Sequence, residues 1–215
     1  MVRLPPRPVF DWKTIAEKAR VFAAEHQLAY RPFPLDVEEL AEFDLGMEIR
    51  LVPGLLEEID SPAQITPGEV HPIITVDADQ YRQQTSFYRY SVAHEIGHYV
   101  LHREWLDKVW HLVDSARSWK MVVLNKSEDD YKWIEGQAEE FASYLLAPET
   151  VFEPLISDHI AALAQITTPL QSEDVLPYLA NPVAEFFGVS NAAAQARIRK
   201  SPQWKSLVDR LSCGK

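Results

Sequence analysis

Cysteine is almost absent from this chain. Cys213 is the only one among 215 residues, which excludes a disulfide framework and any metal cluster built on several thiolates. The sequence also lacks a run of about 20 apolar residues, the length that a membrane-spanning helix needs. Its first ten residues contain no apolar core of a signal peptide. We therefore expect a soluble, cytoplasmic protein that does not contact a membrane.

The motifs of several enzyme classes are missing as well. The seven glycines form neither a GxSxG nor a P-loop, and Cys213 does not have the surroundings of a reactive thiol. Serine-hydrolase, nucleotide-binding and cysteine-protease interpretations therefore have no support. Apolar residues, in contrast, are plentiful: 47% of the chain is hydrophobic and 11% is aromatic. This is enough for one large domain, alone or with a small appendage.

Negative charge prevails, with a formal net charge of −11. Residues 190–215 are the exception, since they carry six lysines and arginines against Asp209 alone. An acidic body repels the phosphate backbone of nucleic acids, so a nucleic-acid contact would be expected only in this basic tail. The other interpretation of the tail, a solvated basic helix, is the more common case.

Hydrophobic periodicity predicts a mixture of helices and strands. A helix should begin after an N-cap at Asp11 and end near Gln27. Strands are expected at 47–53 and 70–76. Further helices are expected at about 36–43, 85–102, 131–146, 150–165, 172–187, 191–200 and 202–212, whereas 53–69 is interpreted mainly as a loop and 103–130 has no clear period.

The helical segment at 85–102 contains the motif HExxH, formed by His94, Glu95 and His98. Residues four apart lie one above the other on a helix, so both imidazoles can bind one ion at about 2.0 to 2.1 Å. Glu95 then projects toward the position of a water molecule on that ion, whose proton it can accept during attack on a carbonyl. The alternative is a pair of surface histidines beside a solvated glutamate.

The residues around this motif favour a buried helix. Val92, Ile96 and Val100 lie on the face opposite the two histidines, and Gly97 leaves room beside them. One side of the helix should therefore pack in the core while the other faces a cavity.

A second helical segment, 131–146, supplies two carboxylates. On a helical wheel Glu135 and Glu139 share a face with apolar residues, opposite Gln137 and Glu140. A buried carboxylate needs a partner. We expect a metal ion as the partner of Glu135, and the second ring nitrogen of a ligand histidine as that of Glu139. Two histidines and a carboxylate with one open position indicate a catalytic zinc site. The alternative is an exposed pair of glutamates.

Four other side chains are candidates for supporting roles. His102 lies about 12 Å along the helix from His94, too far to share its ion, and is expected to be structural or to contact a ligand. His71, Tyr88 and Tyr90 are candidates for stabilising the oxyanion, although a packed tyrosine is the more common case. The longer metzincin motif is absent, because position 101 is leucine and position 104 is not histidine.

Three segments together resemble the ImmA/IrrE family of metallo-endopeptidases. They are IITVD (73–77), SFYRYSVAHEIGHYVLH (86–102) and EGQAEEFASYLLAP (135–148). The family carries AHExGHxxLH followed by ExxAxxFAxxLLxP. PFPLDVEELAEFDLGMEI (32–49) and LANPVAEFFGVSNAAAQARI (179–198) are similar to further family segments, so the resemblance covers most of the chain.

The resemblance implies a compact α+β fold of the thermolysin-like gluzincin type with a zinc ion, or manganese in its place. It also implies limited proteolysis of a helix-turn-helix transcriptional repressor, as in stress responses. His94, His98 and Glu135 correspond to the family's metal ligands and Glu95 to its base. Two departures concern substrate binding: the interval between His98 and Glu135 is long for the family, and Glu139 stands where Asn or Asp is common.

We therefore predict a catalytic domain at 1–150, with a small, mostly antiparallel sheet and two active-site helices, and a helical region at 151–215. The edge of strand 73–77 should pair with an extended substrate. Gly188 between two predicted helices has the pattern of a helix-turn-helix. The main alternative function is accordingly a DNA-binding regulator with a structural or vestigial metal site. A hydrolase of small amides is the weaker alternative.

Overall fold

The computed structural model describes residues 8–66, 68, 70–83, 85–110, 128–163 and 172–213. Helices precede, interrupt and follow a small sheet, so the predicted α+β class is confirmed. The helices are α1 Trp12–Glu25, α2 Val37–Glu39, α3 Leu55–Ile59, α4 Ala78–Gln83, α5 Thr85–Trp110, α6 Glu128–Leu146, α7 Glu149–Leu163, α8 Ser172–Phe187, α9 Asn191–Lys200 and α10 Pro202–Cys213, with a 3-10 turn at Leu28–Tyr30 and a π-helical turn at Leu40–Asp44 after α2.

Helix α1 begins and packs as the sequence predicts. The Asp11 side chain accepts a hydrogen bond from the Thr14 backbone N–H at 2.8 Å, which caps the helix. Ile15, Ala19 and Phe22 are its buried residues. The Phe22 ring lies edge-on at 5.6 Å from the ring of Phe141 in α6, so this face joins the N-terminal helix to the glutamate helix.

The sheet has three strands: β1 Glu48–Val52, β2 Ala63–Thr66 and β3 Ile73–Asp77. Strand β3 is central, parallel to β1 and antiparallel to β2. The expectation of a mostly antiparallel sheet is therefore corrected to a mixed one, because α3 and β2 intervene between β1 and β3 and allow a parallel return. The expected substrate strand at the edge of 73–77 is also wrong, since both edges of β3 are already paired.

Parts of the interval 103–130 are helical. Helix α5 continues to Trp110 because Trp105 and Leu106 are buried, whereas Arg103 and Glu104 are exposed. Helix α6 begins at Glu128. Residues 111–127 lie outside the described residues, as do 164 and 165 of the helix predicted at 150–165.

Two hydrophobic clusters divide the described chain near residue 146. The first contains residues from α1, the sheet, α5 and α6, and the second contains residues from Ala147 onward. Gly188 lies at their junction with a φ of +61°, and a Cβ there would lie 2.6 Å from Arg89 and 2.7 Å from Pro34. Only glycine fits this turn and this contact. The boundary predicted at residue 150 stays a prediction.

Candidate metal centre

Helices α5 and α6 cross closely beside the sheet. Gly97 on α5 makes this possible, since a Cβ at that position would lie 2.9 Å from the backbone oxygen of Ala138 on α6. The absence of a side chain at Gly97 therefore allows the backbone of α6 to approach closely, in addition to leaving room beside the histidines. The crossing places Glu135, one turn before Ala138, against the two motif histidines.

The side chains of His94, His98 and Glu135 converge. The Nε2 atoms of the two histidines lie 3.0 Å apart, and they lie 3.1 and 3.4 Å from the two carboxylate oxygens of Glu135. Within the described part of the chain this is the group of histidine and carboxylate ligands close enough together to hold an ion. All three side chains are largely buried.

The donor set fits a divalent cation of the zinc type. Ligand atoms at about 2.0 to 2.1 Å in a tetrahedral arrangement lie roughly 3.3 Å from one another, close to the separations found here. Two imidazole nitrogens pointing at each other at 3.0 Å also require a proton or a cation between them. The residues present therefore suit a metal ion. Zinc in particular remains a proposal.

The carboxylate of Glu135 and the imidazole of His98 shift each other's pKa. Burial acts to raise the pKa of Glu135, but His98 and His94 outweigh it and hold this pKa well below its ordinary value. Burial acts to lower the pKa of His98, and Glu135 outweighs it and raises the pKa. The carboxylate is thus kept ionised, the form in which it can bind a cation.

Glu95, the remaining residue of the HExxH motif, is 6% exposed, and its side chain lies between helix α5 and the sheet. Its Oε2 atom accepts a hydrogen bond from the backbone N–H of Ile65 on β2 at 2.8 Å. Burial raises its pKa above the ordinary value, despite the opposing effect of His98 and His94. A raised pKa is what a carboxylate needs in order to accept a proton near neutral pH.

His102 contacts one of the ligands. Its Nδ1 atom lies 3.1 Å from Nδ1 of His98, on the side of that ring away from His94. Burial lowers the pKa of His102 to about 3, so its ring is neutral and one of its nitrogens is an acceptor. His102 can therefore accept a hydrogen bond from the Nδ1–H of His98, which leaves the Nε2 lone pair of His98 free for a cation.

The structure corrects the prediction of which α6 side chains are buried. Glu139 is exposed, whereas Gln137 and Glu140 are buried. Gln137 is covered because its Oε1 accepts from the backbone N–H of Phe10, and Glu140 because Lys200 of α9 donates to its carboxylate. The wheel of a single helix could not show that segments from both ends of the chain pack on this face. Among the described residues, the ring nitrogens of the three histidines contact one another and Glu135, and none contacts Glu139.

The three oxyanion candidates are in different environments. Tyr88 is buried with its ring 4.8 Å from that of Tyr81, and burial, followed by the charge of Glu38, raises its pKa above the ordinary value. His71 precedes β3, contrary to the strand predicted at 70–76, and is exposed near Gly46. Only the ring of Tyr90 is near a ligand, 6.4 Å from the ring of His94.

Sequence reasoning missed the contact from Ile65. Residues 53–69 were interpreted mainly as a loop, yet they contain α3 and the four-residue strand β2. So short a strand shows no measurable alternation. The only signal in the sequence was that Glu95 needed a hydrogen-bond donor once buried, and the donor's position could not be read from it.

Comparison with known families agrees with this geometry. The family model Peptidase_M78, described as the IrrE N-terminal-like domain, matches residues 44–199. This range contains the sheet, both ligand helices and helices α7 to α9. No curated protein matches the chain in sequence. Among the described residues, none of the helices combines the length and apolar character that a bilayer crossing requires. The match spans more than half of the sequence, and the chain therefore belongs to the IrrE N-terminal-like (ImmA/IrrE) family of metallopeptidases.

Proposed function

We propose that the protein is a zinc-dependent endopeptidase that performs limited proteolysis of a protein substrate in the cytoplasm. His94, His98 and Glu135 hold the metal, and Glu95 is the general base. The observation that carries the proposal is the convergence of three ligand atoms from two helices within 4.8 Å of one another. Manganese fits the same donor set less well, because it prefers oxygen ligands.

A zinc ion bound there would supply Lewis acidity, lowering the pKa of a water molecule and polarising the carbonyl of the scissile peptide bond. Glu95 accepts the proton from the attacking water and returns it to the leaving amine. Its burial and its raised pKa support this role, since both favour the protonated carboxyl after the first transfer. The Ile65 N–H bond to Oε2 fixes the carboxylate orientation and leaves Oε1 for the proton.

Strand β2 is the edge on which we expect the substrate backbone to lie. The Pro62 carbonyl accepts a hydrogen bond from the Asp77 backbone N–H, so the backbone N–H and C=O groups of even-numbered residues in this strand point toward β3. Those of Ile65 point toward the opposite edge, where its N–H donates to Glu95. A peptide added along this edge would pass directly beside the general base.

Two further side chains have proposed supporting roles. Tyr90 is our candidate for the oxyanion donor, because burial and then the nearby glutamates raise its pKa and keep the phenol protonated. Glu139 keeps its proposed role as the partner of a ligand histidine. The nitrogen left for it is Nδ1 of His94, since Nδ1 of His98 contacts His102.

The proposed substrate is a helix-turn-helix transcriptional repressor, as the family resemblance implies. The test is to incubate the zinc-loaded protein with the repressor encoded beside its own gene and to determine fragment masses. We expect cleavage at one or a few bonds, loss of cleavage on chelation, and recovery with zinc. A repressor that stays intact while a generic unfolded protein is cleaved would refute the substrate but retain the peptidase.

A DNA-binding regulator is the second candidate function. The observation in its favour is the turn at Gly188, where α8 ends and α9 begins with Ser190 as its N-cap. Two cations of α9 are unavailable to a duplex, because Arg197 is buried and Lys200 is bonded to Glu140. Gel-shift measurements at physiological salt distinguish the two functions: specific binding that is indifferent to chelation would favour the regulator.

A further inference from the structure

A cavity of about 690 Å³ lies between the glutamate helix α6 and helix α9. It begins beside the metal centre, since Gly136 and Glu139 follow Glu135 on α6 and both line it. Tyr90, the aromatic neighbour of His94, lines the same end. The cavity is therefore adjacent to the place where a scissile bond would lie, without sharing a proposed ligand.

The walls of the cavity combine an apolar floor with a cationic rim. Leu146, Val183 and Ala194 lie on the floor and are each at most 1% exposed. Arg199 and Lys205 are exposed at the rim, where they come from the basic tail of an otherwise acidic chain. Four of the six basic residues at 190–215 thus line a groove beside the metal centre: Arg197, Arg199, Lys200 and Lys205.

Arg197 also lines this cavity and is 5% exposed. Its guanidinium lies 4.3 Å from the ring centres of both Tyr144 and Phe152. Its Nε and Nη2 atoms are buried and have no hydrogen-bond acceptor among the described residues. Buried guanidinium N–H groups normally have an acceptor, so the missing partner is an indication of a ligand.

We propose that this cavity takes an acidic segment of the protein substrate, with an apolar side chain on its floor and a carboxylate facing Arg197 and Lys205. The inference rests on the proposed peptidase function and adds a substrate preference to it. Of the two carboxylates on the wall, Glu140 is bonded to Lys200 and is therefore already paired with a cation other than Arg197 and Lys205.

Nucleic acid suits the same surface less well. A phosphate backbone needs cations spread along an exposed face. Here Arg197 is enclosed by two aromatic rings, and the cavity has the volume of a few side chains. An acidic peptide segment matches both the size and the sign of charge.

The first experiment measures cleavage specificity. The zinc-loaded full chain digests mixtures of acetylated, amidated decapeptides, in which one position at a time is fixed as Glu, Gln or Lys and the others are random. Mass analysis of the products then gives the preference at each distance from the cut. We expect Glu to be favoured over Gln at a constant distance on one side of the scissile bond, by about three- to tenfold.

Lys205→Glu and Arg210→Glu form a matched pair for this measurement. Both residues are exposed cations of α10, but only Lys205 lines the cavity. Lys205→Glu should abolish or invert the preference for Glu, and Arg210→Glu should leave it unchanged. Cleavage with no preference for Glu, or an equal effect of the two variants, would overturn the inference while the peptidase function stands.

If no peptide is cleaved, the proposed peptidase function fails. A second measurement, which detects binding without cleavage, then still tests the acidic-peptide site. The Nε–H resonance of Arg197 is followed by NMR in the full-length Glu95→Gln protein, and Arg197→Lys identifies the signal by its loss. The fixed-Glu peptide mixtures should shift this resonance, and their Gln counterparts should not. No shift, or a shift produced only by a DNA duplex of about 20 base pairs, would overturn the acidic-peptide site.

Discussion

The metal centre and the cavity beside it differ in whether their buried charged groups have partners within the protein. At the centre, the carboxylate of Glu135 meets two imidazoles, and Glu95 receives a backbone N–H from the sheet. In the cavity, Arg197 is just as buried, yet two of its N–H groups have no acceptor within the described part of the chain. Both regions share helix α6. The carboxylates of the first site are thus partnered within the protein, whereas the guanidinium of the second is not, which supports the inference that its partner belongs to the substrate.

Helix α6 separates the two regions by the direction of its faces. Glu135 faces α5, while Tyr144, nine residues later, contacts Arg197 of α9 with its ring. Substitutions on one face should therefore leave the function of the other intact. The following experiments test that separation, beginning with the largest expected effect.

Glu95→Gln should break the metal centre's chemistry and leave the cavity intact. The amide keeps the shape and can still accept from Ile65, but it cannot take a proton from water. The rate of peptide cleavage should fall about 10²- to 10⁴-fold. Zinc content by atomic absorption and the NMR response of Arg197 should both be retained. Cleavage near the wild-type rate in a folded, zinc-loaded variant would rule out Glu95 as the base.

Gly97→Ala and Gly188→Ala test two close approaches, one at the metal centre and one at the junction of the two hydrophobic clusters. The new Cβ at 97 would lie 2.9 Å from the Ala138 oxygen and push α6 away from α5. We expect a loss of roughly 1 to 3 kcal/mol in the free energy of unfolding, together with weakened zinc binding. Gly188→Ala should lose a similar amount by denaturant titration, because its φ is positive and its surroundings are tight.

The two glycine variants should differ in metal affinity. Gly188 contacts Arg89 and Pro34 rather than a ligand-bearing crossing, so zinc affinity per folded molecule should stay near that of the wild type. Competition with a chromophoric chelator measures this directly. Equal losses of zinc affinity in both variants would show that the close crossing at Gly97 has no specific effect on metal binding.

His102→Phe tests whether His102 supports metal binding through its contact with His98. The ring of similar size fills the space, but Nδ1 of His98 loses its acceptor. Zinc affinity should fall about 10- to 100-fold. His102→Asn, which offers an acceptor on a shorter side chain, should recover part of the loss. Recovery is the informative readout, since a purely structural histidine would favour phenylalanine over asparagine.

Asp77→Asn gives the smallest expected effect and concerns a buried charge that is fully partnered. Asp77 accepts from the backbone N–H of Leu56 at 2.9 Å and of Asp79 at 2.9 Å. These bonds, led by that of Leu56, hold the pKa of Asp77 below its ordinary value. Loss of the charged acceptor should cost roughly 1 to 2 kcal/mol of unfolding free energy at pH 7.

The pH dependence of that loss follows from the direction of the shift. A carboxyl with a depressed pKa in the folded state contributes stability above its unfolded pKa, about 3.9, and loses it as the pH falls through the folded pKa. The difference in unfolding free energy between wild type and Asp77→Asn should be constant from pH 5 to 7 and shrink below about pH 4. A difference that grows on acidification would contradict this account.

Much of the centre could be predicted from local spacing. His94 and His98 are four apart on one helix, and this spacing directs both rings to one side whatever the rest of the chain does. Helix α1 and its cap followed in the same way from Asp11 and three apolar residues. The predicted burial of Glu139 was wrong because a helical wheel represents one helix alone, and distant segments cover the face of Gln137 and Glu140 instead.

By itself, the sequence determined which residue types can meet a metal ion, since helical spacing within HExxH and within α6 is a local property. Only the tertiary structure decided that β3 is central, that Ile65 reaches Glu95, and that basic residues of α9 and Lys205 of α10 line a cavity. Each of these depends on contacts between different elements of the chain, such as the pairing of β1 and β2 with β3 and the bond between Ile65 and Glu95. Such contacts arise from the packing of whole elements, whose balance of burial and loop entropy no local pattern encodes.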